Sequence, residues 1–556
     1  MLNTARATRA IAVAPHHLAA QSALAVMREG GDAIEAMVAA AATIAVVYPH
    51  MNGIGGDSFW VILPADGGAP VAIDGCGPAA AAATIAAYHD RGLQAIPVRG
   101  PLAANTVAGT VGGWAQALAL SAELRQRAGL NAGQSGGQNA GQNAGQTDAA
   151  LLPLARLLKD AIGYAEHGVA VTVSQESATR AKLGELQAQP GYADTFLIDG
   201  ALPRAGQRFR QPRLARTLGM LARDGLDSYY RGCLAGEIAT DLAQVGSLVT
   251  GADLAAYHAQ RTVPLHLAHS AGDIYNMTPP TQGAVSLTIL GLLDRIGLAA
   301  VEPDGADHVH LVVEATKQAF RMRDQHITDP QHMPVAAQSL LDPARLDAMA
   351  QHIRLDRAAP WGKGRGPGDT IWMGCIDESG MAVSFIQSIY HEFGSGVVLP
   401  TTGINWQNRG ASFSLDGNHL LSLKPGKKPF HTLNPAAARL KDGRTMVYGT
   451  MGGDGQPQTQ AAVFTRHVVF GQPLQAAVTA PRWLLGRTWG QSSDSLKLES
   501  RFSQAIVDDL IARGHEVDVL LPFDETMGHA GALVRFPDGT LEGAADPRSD
   551  GGVAAF

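Results

Sequence analysis

The chain has 556 residues, is 46% apolar and 17% charged, and carries a formal net charge of −7. That length predicts two packed lobes or one large layered α/β body, and the absence of any basic excess argues against nucleic acid as a partner. Three scattered cysteines, Cys76, Cys233 and Cys375, build neither a disulfide framework nor a CxxC metal knuckle, so a reducing compartment is expected.

The N-terminal "MLNTARATRAIAVAPHH" has arginines but no apolar run of secretory length, which predicts a cytoplasmic protein. From His17 to about Val47 the pattern is helical, broken at Gly30-Gly31, with Asp32 placed to cap the second helix. The apolar stretch Ala36 to Val47 is too short to span a bilayer and predicts a buried helix with no membrane role. "YPHMNGIGGDSFWVIL" then reads as a Gly-rich turn feeding a strand. Its GIGGD, residues 53–57, lacks the spacing and the lysine of a phosphate loop and is expected to shape a turn beside an active site. Residues 129–149 repeat a Gly-Gln-Asn unit with nothing to bury, the composition of a flexible surface insertion.

Helical patterning returns over Leu151 to Glu166, in segments between 213 and 244, and in "ADHVHLVVEATKQAFRMRDQH". His308, His310 and Glu314 there, with His326 and His332 nearby, are metal-ligand residue types. His308 and His310 are two apart, however, which on a helix points them to different faces, and no metal is expected. Residues 334–369, ending in "APWGKGRGPGDT", are rich in Pro, Gly and charge and predict a linker. Beyond Thr370 the chain changes to short alternating strands, "TIWMGCID", "MAVSFIQSI" and "TMVYGTMGG", so the last third is expected to be mainly β and the rest mainly helical.

Thr370 opens the first of these strands directly after Gly368-Asp369. β-branched residues favour strands, which is reason enough for a threonine there. A cut before Thr370 would instead leave its hydroxyl as a nucleophile and its new α-amine as the base that activates it. An α-amine titrates near ~7.7 to 8, so such a base needs no histidine.

Several ordered segments carry a resemblance at this point: "LAAQSALAVMREGGDAIEAMVAAAATIAVVYPHMNGIGGDSF", "DLAAYHA", "PPTQGAVSL" and "EATKQAFRMRDQHITDP" before the junction. "FGSG", "TGINWQNR", "MGGDGQPQTQ", "APRW" and "ADPRSDGG" follow it. Together they resemble the γ-glutamyltransferase family of N-terminal nucleophile hydrolases, nearly end to end. The resemblance implies an α/β (α+β) fold, a four-layer αββα sandwich of two mainly antiparallel sheets between helical layers. It implies self-cleavage between Asp369 and Thr370 into associated chains 1–369 and 370–556, with Thr370 as nucleophile. Ser388 falls where the family has a threonine touching the nucleophile, and Gly452 and Gly453 on the pair whose N–H groups hold the oxyanion. No cofactor is implied.

The family's charged clamps for a glutamyl group are missing. Cys76 in "DGCGPAA" stands near the usual arginine and Ser412 in "WQNRGASF" at the usual acid. Tyr390 replaces an asparagine and His431-Thr432 a serine pair, while Arg409, next to Asn408, is new. A zwitterion left unpaired in a closed site costs several kcal/mol, so these changes argue against a γ-glutamyl substrate. The pattern resembles instead a divergent branch containing oxamate-hydrolysing members and glutathione-hydrolase-like proenzymes. Arg409 is the expected grip for a substrate carboxylate, with Tyr390, Asn408, His431 and Thr432 as its substrate-binding neighbours. The expected function is hydrolysis of a small acid amide through an acyl-threonine. The alternatives are a γ-glutamyl or cephalosporin-acylase-like enzyme and, from another class, an unprocessed scaffold.

Overall fold

The computed structural model describes residues 3–135, 151–362, 369–487 and 493–556. Two seven-stranded sheets stack face to face. The first runs Gly552–Ala555, Ile11–Ala14, Asp369–Ile376, Ala382–Tyr390, Asp57–Leu63, Val71–Gly75, Gln260–Thr262. The second runs Ala5–Ala7, Leu541–Ala545, Gly531–Arg535, Thr445–Gly449, Ala436–Leu440, Gly272–Asn276, Leu265–His269. Pairing is antiparallel in both. Helices His17–Arg28 and Ala33–Val47 cover the outer face of the first sheet; Gly283–Arg295 and Gln456–Phe464 cover the second, and Ala306–His326 packs on those two helices. This is the expected αββα sandwich.

Because each sheet is covered on both faces, its central strands read as continuous apolar runs instead of alternating ones. All seven residues of Asp57–Leu63 are buried, as are all fifteen of Ala33–Val47, whose start is fixed by a capping box between Asp32 and Glu35. Among the described residues no helix is long and apolar enough to cross a membrane. Phe59, Val61, Trp372, Ile376 and Ile386 from one sheet meet Ala437, Val447 and Leu533 from the other in the layer between them. Each sheet takes strands from both sides of residue 369.

Trp372 fixes the spacing of the two sheets near the junction. Its Nε1 donates to Ser384 Oγ at 2.9 Å, and its ring lies against Gly449 so closely that a Cβ there would sit 2.2 Å from Cδ1. Gly449→Ala is therefore expected to destabilise by about 1 to 3 kcal/mol through overpacking, read as a lower midpoint of thermal unfolding.

The sequence expectations need amending in three places. Residues 334–362 form a packed segment: a 3-10 turn at Ala337–Leu341 and a helix at Pro343–Ala350 bury Leu340, Leu341 and Leu346. Three leucines facing inward outweigh the Pro, Gly and charge around them, and 363–368 lie outside the described residues. The helix Thr110–Ser135 runs into the Gly-Gln-Asn insertion, whose remainder also lies outside them. Finally, among the described residues the last third keeps three α-helices, Gln456–Phe464, Leu474–Thr479 and Gln504–Ala512, and four of the first sheet's seven strands come from before residue 369.

Candidate active site

Thr370 lies opposite a β-bulge in the strand Ala382–Tyr390. Asp369 pairs with Tyr390 and Ile371 with Gln387, so Thr370 alone opposes Ser388 and Ile389. A bulge bends the strand that carries the extra residue, and here that strand, Ala382–Tyr390, bends directly across from the residue at which the chain is expected to be cut. Thr370 and Ser388 are fully buried.

The neighbouring strand delivers Ser388 and Tyr390. Ser388 Oγ accepts from Tyr390 N at 2.8 Å and from Arg409 Nη2 at 3.2 Å. Tyr390 has φ +83°, a left-handed conformation that a side chain of its size adopts only under constraint. The constraint turns its ring beneath the Arg409 guanidinium, 4.1 Å from its carbon, a cation–π contact. Gly56 makes room from behind, since a Cβ there would meet the Ser388 carbonyl oxygen at 2.1 Å. That is the part played by the GIGGD turn.

Arg409 is wholly buried, and its Nε and Nη1 have no partner among the described residues. Burial draws its pKa down to about 10, opposed by Tyr390 and Asp57, so it stays a cation at neutral pH. No carboxylate is paired with it among the described residues. A buried guanidinium with open donors is costly unless an anion completes it.

Asn408 and His431, expected as substrate-binding residues, each carry protein hydrogen bonds. The Asn408 amide donates to Val98 O at 2.8 Å and accepts from His391 N at 3.1 Å, so it braces the turn after Tyr390. His431 faces Asp57 Oδ2 through Nε2 and Pro429 O through Nδ1, both at 2.9 Å, which leaves neither ring nitrogen for a direct substrate contact. Burial lowers its pKa first, and the charge of Arg409 second. Thr432 Oγ1, in contrast, is buried without a partner.

Gly452 and Gly453 have φ +111° and +54°, a region open to glycine and strained for other residues. They lead through a 3-10 turn, Gly453–Gly455, into helix Gln456–Phe464, so the glycine pair stands at a helix N-terminus, an end suited to negative charge. Gln282 Nε2 donates to both Gly453 O and Thr432 O at 2.9 Å, and Arg323 pairs with Asp454 at 2.8 Å beneath them. Trp372, two residues past Thr370, touches Gly449, three before Gly452, so the packed sheets bring the junction and the glycine turn together.

Asp57 was not anticipated. It lies cross-strand from Ser388, and its Oδ1 accepts Gly77 N and Gly109 N at 3.0 Å and Gln407 Nε2 at 3.2 Å. The one signal was an acidic residue heading an apolar strand in "GGDSFWVIL", since a buried carboxylate must be partnered.

Two groups of ligand-type side chains converge, Asp57-Cys76-His431 and His310-Glu314-His515. In the first, Asp57 and His431 are spent on the hydrogen bonds above, and burial pushes the Cys76 thiol up. In the second, His310 Nδ1 lies 2.8 Å from His515 Nε2 and its Nε2 donates to Arg354 O, while Glu314 holds the Lys317 ammonium at 2.7 Å. That ammonium already occupies the cation's place, and we assign a metal to neither group. His308 points away to Thr465, as its spacing from His310 predicts, and His326 bonds Arg345.

The family model for gamma-glutamyltranspeptidase matches residues 19–127 and 137–556. The chain belongs to that family. It is 60% identical to the oxamate amidohydrolase proenzyme of Klebsiella pneumoniae subsp. pneumoniae over 549 residues, 99% of each chain. It is 37% identical to the glutathione hydrolase-like YwrD proenzyme of Bacillus subtilis, again over 99% of each. The crystal structure of cephalosporin acylase from Bacillus halodurans superposes with a TM-score of 0.87 at 32% identity, covering 100% of this chain and 97% of that one. The protein is thus an enzyme, an autoprocessing amidohydrolase of the N-terminal nucleophile type made as a proenzyme.

Proposed function

We propose that this enzyme hydrolyses the amide of a small acid such as oxamate, with Thr370 as nucleophile. The observation that carries the substrate class is Arg409: a buried guanidinium whose Nε and Nη1 lack partners among the described residues and whose Nη2 reaches Ser388 Oγ at 3.2 Å. Ser388, one of the two bulge residues, lies cross-strand from Thr370, so a carboxylate on Arg409 sits about one side chain from the attacking oxygen. A two-carbon acid amide fits that span, and Tyr390 closes the room a longer peptide would need. The name of the 60% identical relative agrees with this reading.

Cleavage before Thr370 produces chains 1–369 and 370–556, which stay associated because both sheets interleave strands from the two. The freed α-amine of Thr370 takes the hydroxyl proton as Oγ attacks the amide carbonyl. The N–H groups of Gly452 and Gly453 receive the oxyanion, a service worth roughly 10² to 10³ in turnover per donor. Collapse expels ammonia, with its proton returned by the same amine, and water then hydrolyses the acyl-threonine.

The deciding experiment is a panel of amides assayed with the processed protein. Ammonia release from oxamate at a kcat/KM at least tenfold above hydrolysis of a γ-glutamyl anilide is expected. The reverse order would return the enzyme to the glutathione-hydrolase type of specificity and remove Arg409 from its assigned part.

A further inference from the structure

His431 is the buried titratable group that the reaction above leaves unused. A carbonyl oxygen only accepts, so the 2.9 Å contact with Pro429 O calls for a hydrogen on Nδ1. Asp57 Oδ2, 2.9 Å from Nε2, calls for a second hydrogen along that line. The geometry is therefore made for an imidazolium against a carboxylate, a pair with no net charge. Burial and the nearby Arg409 charge act the other way in the free protein and favour losing that proton.

Other charges around the ring do not change this balance. Asp57 faces it from the strand Asp57–Leu63, Cys76 Sγ lies 3.7 Å from Nδ1 from the loop after Val71–Gly75, and Arg409, in the turn Arg409–Ser412, reaches Ser388, the cross-strand neighbour of Asp57, so that its charge acts on the ring from beyond that pair. Asp74 and Lys428 neutralise each other at 2.6 Å. The backbone N–H of His431 itself is taken by Pro280 O at 2.9 Å. With the proton absent, Asp57 offsets the Arg409 charge; with it present, Arg409 is left as a single unbalanced cation in the closed site.

From this arrangement, and resting on the reading of Arg409 as the carboxylate grip, we infer that the Asp57–His431 pair makes carboxylate binding proton-linked: one proton enters at His431 as one carboxylate enters at Arg409. Once the ligand neutralises Arg409, the charge that disfavoured the imidazolium is gone and the two acceptors around the ring retain the proton. The site thereby admits one negative charge and discriminates against two. His431 is a positioning and charge-setting residue, which explains why both its nitrogens point away from the substrate.

The test uses glycolate, a two-carbon monoanion with no bond to hydrolyse, titrated calorimetrically into the processed enzyme between pH 5.5 and 8.5 in buffers of different ionisation enthalpy. Uptake of up to one proton is expected, with affinity falling by up to tenfold per pH unit above the free-state titration of His431, which lies below its ordinary value. His431→Gln, which keeps a donor toward Asp57 but does not titrate, is expected to bind glycolate without that uptake; His431→Asn serves if the glutamine variant does not fold. Binding with no proton exchange in the wild type overturns the inference. So does uptake that persists in the variant, because it would then belong to another group such as the Thr370 amine. Glycolate binding unchanged in Arg409→Met would instead bring down the carboxylate grip itself.

Discussion

Thr370→Ala is expected to accumulate as one uncut chain with no measurable amide hydrolysis, a loss of at least about 10³-fold against the processed enzyme. On the proposed reading, the 369/370 bond is cut by attack of the Thr370 hydroxyl on the preceding carbonyl, and alanine has no oxygen with which to begin it. The bulge that opposes Thr370 to Ser388 and Ile389 is backbone geometry, and the methyl side chain fits the same buried space, so the variant should fold. Thr370→Ser keeps the oxygen and loses the methyl that restricts its rotamer, and should be cut more slowly but completely. Denaturing electrophoresis distinguishes these outcomes: two bands for wild type and serine, one for alanine. Two bands from the alanine variant would mean that another group performs the cut and would also remove the argument for Thr370 in turnover.

What the sequence makes legible follows from how local each feature is. The Thr370 strand, the glycine pair and the capped helix after Asp32 rest on short-range patterns: turn residues, alternation, a capping residue three positions from a glutamate. Asp57 is different. Its partners Gly77, Gly109, Gln407 and His431 come from four separate stretches of chain, and nothing in its own neighbourhood announces them. His515 meets His310 across 205 residues for the same reason. The segment 334–362 was obscured in another way, because its average composition hid the three leucines that decide its packing. The hydrogen-bond partners of Asn408 and His431, Val98 O and His391 N for one and Asp57 and Pro429 O for the other, likewise come from distant or turn-forming stretches that local pattern does not announce.

Arg409→Met should separate charged from neutral substrates. Methionine keeps most of the buried volume above the Tyr390 ring while removing the cation, and a substrate carboxylate left unpaired there loses roughly 2 to 5 kcal/mol of binding. For oxamate this predicts a fall in kcat/KM of about 30-fold to several thousand-fold. The uncharged analogue oxamide, which never pays for an unpaired charge, should change by less than about fivefold. Processing at 369/370 should proceed, since the cut needs Thr370 and its surroundings and no carboxylate clamp. Arg409 Nη2 does contact Ser388 Oγ, but Ser388 retains another donor, Tyr390 N at 2.8 Å, so the nucleophile side of the site keeps its anchor. Equal losses on oxamate and oxamide in a fully processed variant would make Arg409 a structural cation held by Tyr390. The small-acid-amide assignment would then have lost its physical basis, and the open Nε and Nη1 donors would need another explanation.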